Sequence, residues 1–304
     1  MSGTEPIVWH DGRLLPASEA RVSVYDRAFR NGEGVFETLR FDAGHAFRLD
    51  AHLDRALAGA TEIGLALDRQ SLRRAVTEVV AANSGHLAAG SVRLTVSAGE
   101  LDPDTPIPGR PAQGQAGRPT IVATAHPLRT DPAATPPPVS AATVRMPRAL
   151  PQVKAVSYLP VLMARRAARE RGADEALLID EHDRVLEAAT ANVAALRNRT
   201  LVTPPTDAGL LAGIARQVLL EVAPAAGWEV VERPLPLPEL LAADEAVLTS
   251  SSRQVFPLVA VDSEPIGTGR PGPGAAELLA AYRSEVARER AATTQPGGVA
   301  RERR

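Results

Sequence analysis

Cysteine is absent from this chain of 304 residues. That removes disulfides and thiolate chemistry and points toward a cytoplasmic location. No apolar run reaches the roughly 18 to 20 residues that a membrane span needs. The first residues, Met1 to Trp9, lack the basic and apolar regions of a secretory signal. A formal net charge of −2 gives no general electrostatic reason to bind nucleic acid or an anionic membrane. The six histidines are scattered without ligand spacing, which argues against a structural metal site. Any demanding chemistry is then expected from an organic cofactor. Lysine is nearly absent too: of 34 basic residues only one, Lys154, is not arginine.

Base composition that favours arginine codons accounts for the skew, but not for the single survivor. A guanidinium keeps its proton inside a protein and cannot act as a nucleophile. A lysine amine can lose its proton and join a carbonyl as a Schiff base. Lys154 is therefore the first candidate for chemistry.

A hydrophobic fraction of 44% and a charged fraction of 23% describe a globular protein long enough for two domains. Residues 7–9 and 13–15 flank Asp11 and Gly12 as a hairpin. A strand is predicted over 34–41, helices over 49–65 and 72–82, and a strand over 91–97. Five prolines and three glycines fall within 101–119, predicting a loop at a site mouth. Residues 127–138, again proline-rich, read as a linker between domains. Beyond it the pattern predicts strand 139–145, helix 159–171 and strand 176–180, then strands over 184–188, 192–196 and 201–203. A helix over 213–222, strands over 228–232, 245–249 and 255–261, and a closing helix over 275–286 complete the chain. The irregular mixture predicts an α+β fold. Its divisions are a small N-terminal domain at 1–126, a linker at 127–138, a larger strand-rich domain at 139–287 and a flexible arginine-rich tail at 288–304.

Four features fit one cofactor chemistry around Lys154. Glu187 can hold a proton on a pyridine nitrogen, turning the ring into an electron sink. Gly213, Ile214 and Ala215 open a helix whose free N–H groups suit a phosphate. Ser250, Ser251 and Ser252 form a hydroxyl-rich turn after a strand. Arg55, on a helix of the first domain, offers a permanent cation. Taken singly, each has an ordinary structural explanation: a solvated glutamate, a helix start, a turn, an exposed helix face.

Together, and in this order, they resemble the class IV (fold-type IV) pyridoxal-phosphate enzymes. That group includes branched-chain and D-amino-acid aminotransferases and 4-amino-4-deoxychorismate lyase. The resemblance runs through Glu187, Ala189 and Asn192, then Leu201 and Thr203, then Gly213, Ile214 and Arg216. Upstream it takes in the segment from Asp26 to Leu39, His52 with Arg55, and Lys154 with Tyr158 and Pro160. It covers residues 6 to 285. Departures are Ala194 where an aromatic is usual, Ala215 where threonine is common, and Asn31 in place of a bulky aromatic.

The resemblance implies a two-domain fold-type IV architecture, pyridoxal 5'-phosphate as cofactor and a homodimer. It implies that Lys154 is the Schiff-base lysine and the proton shuttle, that Glu187 faces the pyridine nitrogen, and that Tyr158 meets the ring hydroxyl. Arg55, the amides of Gly213 to Ala215 and Ser251 would hold the phosphate, with Asn192 bracing the strand of Glu187. Arg93, Arg30 and Ser252 are the candidates for a substrate carboxylate. Ala98 stands near where the D-amino-acid branch carries a carboxylate-binding arginine, which argues against that branch. Three functions follow. The first is an aminotransferase acting between an amino acid and a 2-oxo acid. The second is an aminodeoxychorismate lyase releasing pyruvate and 4-aminobenzoate. The third is a cofactor-binding homologue without turnover, which retention of both Lys154 and Glu187 disfavours.

Overall fold

A computed structural model describes residues 5–100, 118–128, 131 and 133–294. Most of the proline-rich stretch predicted as a loop and the end of the arginine-rich tail lie outside the described residues. The first half folds around a six-stranded sheet in the order β2-β1-β6-β5-β3-β4. Its strands are β1 (Ile7–His10), β2 (Arg13–Pro16), β3 (Gly34–Asp42), β4 (His45–Ala46), β5 (Ala89–Ser97) and β6 (Ile121–Pro127). Three helices accompany them: α1 (Arg27–Asn31), α2 (Leu49–Glu62) and α3 (Arg69–Asn83).

Local chemistry sets these boundaries. Asp26 caps α1 by accepting from the amides of Ala28 and Phe29, and Gly32 ends the helix at φ 69°. Asp68 caps α3 through the amides of Gln70 and Ser71. Leu53, Ala56 and Ala60 of α2 and Leu72, Val76 and Val79 of α3 pack on Val35 and Leu39 of β3 and on Val92, Leu94 and Val96 of β5. The pleat of β5 sends Arg93 to the face opposite Val92 and Leu94, away from this core. In β3 the same alternation gives Phe36 and Thr38 to one face, and Val35, Glu37 and Leu39 to the face under α2.

The second half is built on a ten-stranded mixed sheet. It holds β7 (Val139–Arg145), β8 (Glu175–Ile179), β9 (Arg184–Ala188), β10 (Asn192–Arg197) and β11 (Thr200–Thr203). The rest are β12 (Glu229–Glu232), β13 (Leu235–Pro236), β14 (Glu245–Ser250), β15 (Gln254–Val261) and β16 (Glu264–Pro265). The strand order is β12-β11-β10-β14-β15-β7-β8-β9-β13, with β16 on β15. Helices α4 (Leu159–Glu170), α5 (Ile214–Val222), α6 (Leu237–Leu241) and α7 (Pro273–Thr294) cover it. Three apolar clusters fill its faces: one under α6, one between α5 and α7, and one under α4.

Three expectations need correction. The segment before Pro127 is strand β6, paired with β1 on one side and β5 on the other, and Pro127 belongs to it rather than to a linker. The core-facing residues of this antiparallel strand are the small Ala123 and Ala125, so its alternation carries little hydrophobic signal along the chain. The closing helix runs to Thr294, because its arginines and glutamates form ion pairs such as Arg288 with Glu285, and a polar helix needs no apolar stripe to continue. Short helices α1 and α6 are additions to the expected elements, five residues being too few to show a helical period.

Candidate active site

Between the two sheets lies a cavity of about 460 Å³. The chain that leaves β7 crosses back to the first sheet before entering α4. There the Phe36 amide donates to the Lys154 carbonyl at 2.8 Å, and the Val156 amide donates to the Gly34 carbonyl at 3.0 Å. Lys154 is thus held by its own backbone against β3, with its ammonium 4.6 Å from the centre of the Phe36 ring. The close approach of β5 requires glycine at position 34: a Cβ there would stand 2.4 Å from the Val96 carbonyl oxygen. Protein packed around the Lys154 amine strips it of water and lowers its pKa to about 8, with Arg55 and Arg148 adding to the shift and Glu37 and Glu187 opposing it.

Glu187 stands across the cavity at the end of β9, buried. Its Oε2 accepts from the Leu211 amide at 3.3 Å and from Asn192 Nδ2 at 3.4 Å. Asn192 Nδ2 also donates to the Leu211 carbonyl at 2.9 Å, so one amide fixes both the carboxylate and the turn before α5. Glu187 Oε1 lies against Arg148 Nε as an ion pair out of hydrogen-bond geometry. Burial raises the Glu187 carboxyl to about 7, against the pull of Arg148, the Leu211 amide and Lys154.

The start of α5 forms a small cup. Gly213 is its N-cap and brings no side-chain acceptor, leaving the amides of Ile214 and Ala215 directed at the cavity end. A Cβ on Gly213 would stand 1.8 Å from Asn192 Oδ1, so the close approach that sets the cup requires glycine. Ser251 and Ser252 line the same cavity, and the buried Thr249 hydroxyl beside them has no hydrogen-bond partner among the described residues.

Arg55 reaches the cup from α2. Its Nε and one terminal nitrogen donate to Glu37 Oε1 and Oε2 at 2.8 and 2.7 Å, and the other terminal nitrogen donates to the Ala212 carbonyl at 2.8 Å. Glu37 also holds His52 Nδ1 at 2.8 Å. His52 and Arg55 are three apart on α2 and so face β3 together. Arg55 and His52 hold the buried Glu37 carboxyl far below the usual range, more than offsetting the burial that would raise it. Sequence reasoning missed Glu37 and Arg148. Glu37 shares its strand with Thr38, Arg40 and Asp42, so nothing in the sequence marks it as buried, and Arg148 is one arginine among many.

Of the other anticipated residues, Tyr158 and Arg93 line the cavity. Tyr158 is the N-cap of α4, packs edge-on to Phe36 at 5.6 Å, and has its hydroxyl pKa raised by burial. Arg93 lies 3.9 Å over the centre of the same Phe36 ring in a cation–π stack. Arg30 is a correction: it is exposed on α1 and is not among the residues that line the cavity. Arg216 turns out to be scaffold, donating to the Pro204 carbonyl at 2.9 Å and pairing with Glu232.

The arrangement suits a flat, phosphate-bearing ring cofactor. Among the described residues, the Glu187 oxygen that meets Arg148 as an ion pair and the buried Thr249 hydroxyl lack hydrogen-bond partners at two points of one cavity, a cup of amides closed to any side chain lies at its end, and a lysine of lowered pKa lines the same cavity.

Comparisons with known proteins agree with this geometry. The profile of the family described as amino-transferase class IV matches residues 34–261. The putative branched-chain-amino-acid aminotransferase of Methanocaldococcus jannaschii is 32% identical over 87% of this chain and 91% of its own length. The D-alanine aminotransferase of Bacillus licheniformis is 30% identical over 94% and 99%. The aminodeoxychorismate lyase of Bacillus subtilis is 26% identical over 92% and 94%. Among solved structures, the branched-chain aminotransferase of Thermoproteus uzoniensis with norvaline superposes with a TM-score of 0.80 at 29% identity, covering 93% of this chain and 95% of that one. With most of its length matched by the profile and by relatives of similar size, this chain belongs to the class IV aminotransferase family.

Proposed function

We propose that this enzyme binds pyridoxal 5'-phosphate and moves an amino group between an amino acid and a 2-oxo acid. The observation that carries the reading is the single lysine, its amine pKa lowered to about 8, facing the buried Glu187 across one cavity. When bound, the cofactor supplies an electron sink for a carbanion at the substrate carbon. Lys154 provides the amine that anchors it and then carries a proton to and from that carbon. Glu187 keeps the ring nitrogen protonated, and Asn192 with the Leu211 amide keeps Glu187 in place. The Tyr158 hydroxyl hydrogen-bonds the ring oxygen. Arg55, the amides of Ile214 and Ala215, and Ser251 take the phosphate at the cup. Arg93 and the Ser252 turn take the substrate carboxylate.

The purified protein is expected to be yellow, and borohydride should fix the cofactor on the peptide that contains Lys154. A mass shift on a peptide lacking Lys154 would overturn the reading. A scan of amino donors with 2-oxoglutarate then gives the activity. The lyase reading is the second, favoured by the surplus of arginine around the cavity, and pyruvate release from aminodeoxychorismate without an amino acceptor distinguishes it.

A homodimer is part of the proposal. Val24, Tyr25 and Phe29 near α1 and Leu159, Leu162 and Met163 on α4 are exposed apolar side chains, and Gly32 and Ser157 bring the two helices together at the cavity mouth. Exposed apolar surface of this extent at a site mouth fits a subunit contact.

A further inference from the structure

The hairpin that joins β14 to β15 holds a conformation that its sequence does not favour. Ser250 and Gln254 pair across it, so Ser251, Ser252 and Arg253 form a three-residue loop. Such loops close through a residue in the left-handed region, where glycine is the least strained. Here that residue is Gln254, at φ 63° and 2% exposed. A long polar side chain buried in a sparsely populated conformation persists only where its surroundings fix it.

What fixes it comes from α7. Gln254 Oε1 accepts from Arg283 Nε at 3.2 Å. The terminal nitrogens of Arg283 donate to the carbonyls of Ala133 and Ala134, at 3.1 and 2.6 Å, in the segment that joins the two halves. From the loop itself, Arg253 stacks at 3.6 Å on Phe256 and donates to the Pro137 carbonyl at 2.9 Å. The loop is thus moored to that segment twice, once directly and once through α7. Inside, it is held less firmly. The Arg253 amide donates to Ser250 Oγ at 3.4 Å, the one side-chain bond within the loop among the described residues. Ser251 and Ser252, which line the cavity, take their place from these outer contacts.

We propose that Gln254 is a positioning residue for the Ser251–Ser252 turn, which it holds to α7 through Arg283 so that the turn meets the cofactor phosphate already in place. The proposal rests on the reading of the preceding section, which gives Ser251 to that phosphate. Its physical ground is conformational freedom. A loop ordered before binding has little left to lose when the anion arrives, and so binds it more tightly than the same hydroxyls on a loosely held loop. Glycine would close this turn with less strain. What glutamine adds is the contact with Arg283.

The test compares pyridoxal 5'-phosphate with pyridoxal, which has the same ring and aldehyde but no phosphate. Both are titrated by absorbance into cofactor-free wild type and variants, so that binding is read apart from turnover. Gln254→Gly removes the contact yet suits the left-handed backbone. It should bind pyridoxal phosphate roughly 3- to 10-fold more weakly, the worth of one hydrogen bond, and pyridoxal as wild type does. Gln254→Glu keeps an acceptor for Arg283 and should restore the wild-type ratio of the two affinities. Arg283→Met should lower that ratio, and adding Gln254→Gly to it should lower it no further, because both changes break one contact. A merely structural role for Gln254 would weaken both ligands alike. Equal loss for the two, no loss for either, a Gln254→Glu ratio as low as that of Gln254→Gly, or a further fall in the double variant overturns the proposal. If Gln254→Gly lacks a cooperative urea transition, Gln254→Asn takes its place with the same expectations, since asparagine tolerates the left-handed region and is one methylene shorter. A wild type that binds the two ligands equally overturns the assignment of a phosphate to this cavity, and this inference with it.

Discussion

Lys154 can act only as a free amine, and its surroundings bring that form within reach near pH 8. An ordinary lysine needs pH above about 10. Cofactor uptake by the stripped protein should therefore accelerate as pH rises through about 8, which absorbance stopped-flow would follow. A midpoint near 10 would mean the amine is solvated. Lys154→Arg should be as inactive as Lys154→Ala, since a guanidinium cannot attack a carbonyl. Glu187 behaves oppositely, its folded pKa raised from 4.5 to about 7. The folded cofactor-free protein then holds this proton more tightly than the unfolded chain. The stability this gives is present below pH 4.5 and lost as pH rises through about 7. Urea midpoints of cofactor-free Glu187→Gln should match wild type in acid and exceed it at pH 8, and parallel curves across that range would contradict the shift. Arg55 and Arg93 separate by what each substitution loosens. Arg55→Leu should let cofactor leach out on dialysis, with activity returning at high pyridoxal phosphate. Arg93→Leu should keep its cofactor and lose roughly 10- to 150-fold in kcat/KM.

At the scale of elements, the cup at the start of α5 depends on a contact between two strands and a helix. Asn192 begins β10, Glu187 is the penultimate residue of β9, and Gly213 caps α5 beside Asn192. Gly213→Ala would drive a methyl into Asn192 Oδ1 and so displace the amide that holds Glu187 and the Leu211 carbonyl. The variant should lose on the order of 1–3 kcal/mol of stability and bind cofactor more weakly, measured by urea unfolding and equilibrium dialysis. An unchanged cofactor affinity would show that the cup forms without that contact. The junction of β3 with α2 is the other such element. Glu37→Ala leaves His52 and Arg55 buried without their carboxylate, a loss of about 3–5 kcal/mol when one partner of a buried pair is removed. Glu37→Gln keeps the shape and loses the charge, so it should fold better than Glu37→Ala yet still hold cofactor less tightly than wild type.

For the whole molecule, the halves meet where the chain carries Lys154 from one sheet to the other, and again where Phe47 packs on Tyr282 and Arg48 pairs with Glu221, Glu285 and Glu289. The Lys154 carbonyl is bound to β3 of the first sheet, while Glu187, Asn192 and Gly213 belong to the second. Arg55 closes the same gap from the other side, by way of the Ala212 carbonyl. The site is therefore a property of how the halves dock, and loosening that docking should affect cofactor retention before it affects either core. The exposed apolar side chains of α1 and α4 lie at the edge of this junction. Light scattering should give a dimer, and Leu162→Arg with Met163→Glu should shift it toward monomer. A monomeric wild type with full activity would remove the subunit contact from the proposal.

The amino-acid sequence by itself determined the chemistry and much of the framework. One lysine among arginines, a glutamate beside a small-residue turn and a glycine opening a helix are local facts, and local facts survive without coordinates. The hairpin at Asp11 and Gly12, helices α2 to α5, and strands β3, β5 and β7 to β11 followed from periodicity and turn residues for the same reason. Tertiary structure alone decided which of many similar cations matter. Arg30, Arg93 and Arg148 are indistinguishable as residues; packing exposes the first, stacks the second on Phe36 and sets the third against Glu187. Glu37 likewise became a partner of Arg55 only when β3 met α2. Partner choice among like charges depends on distances across the chain, and no spacing along it records them.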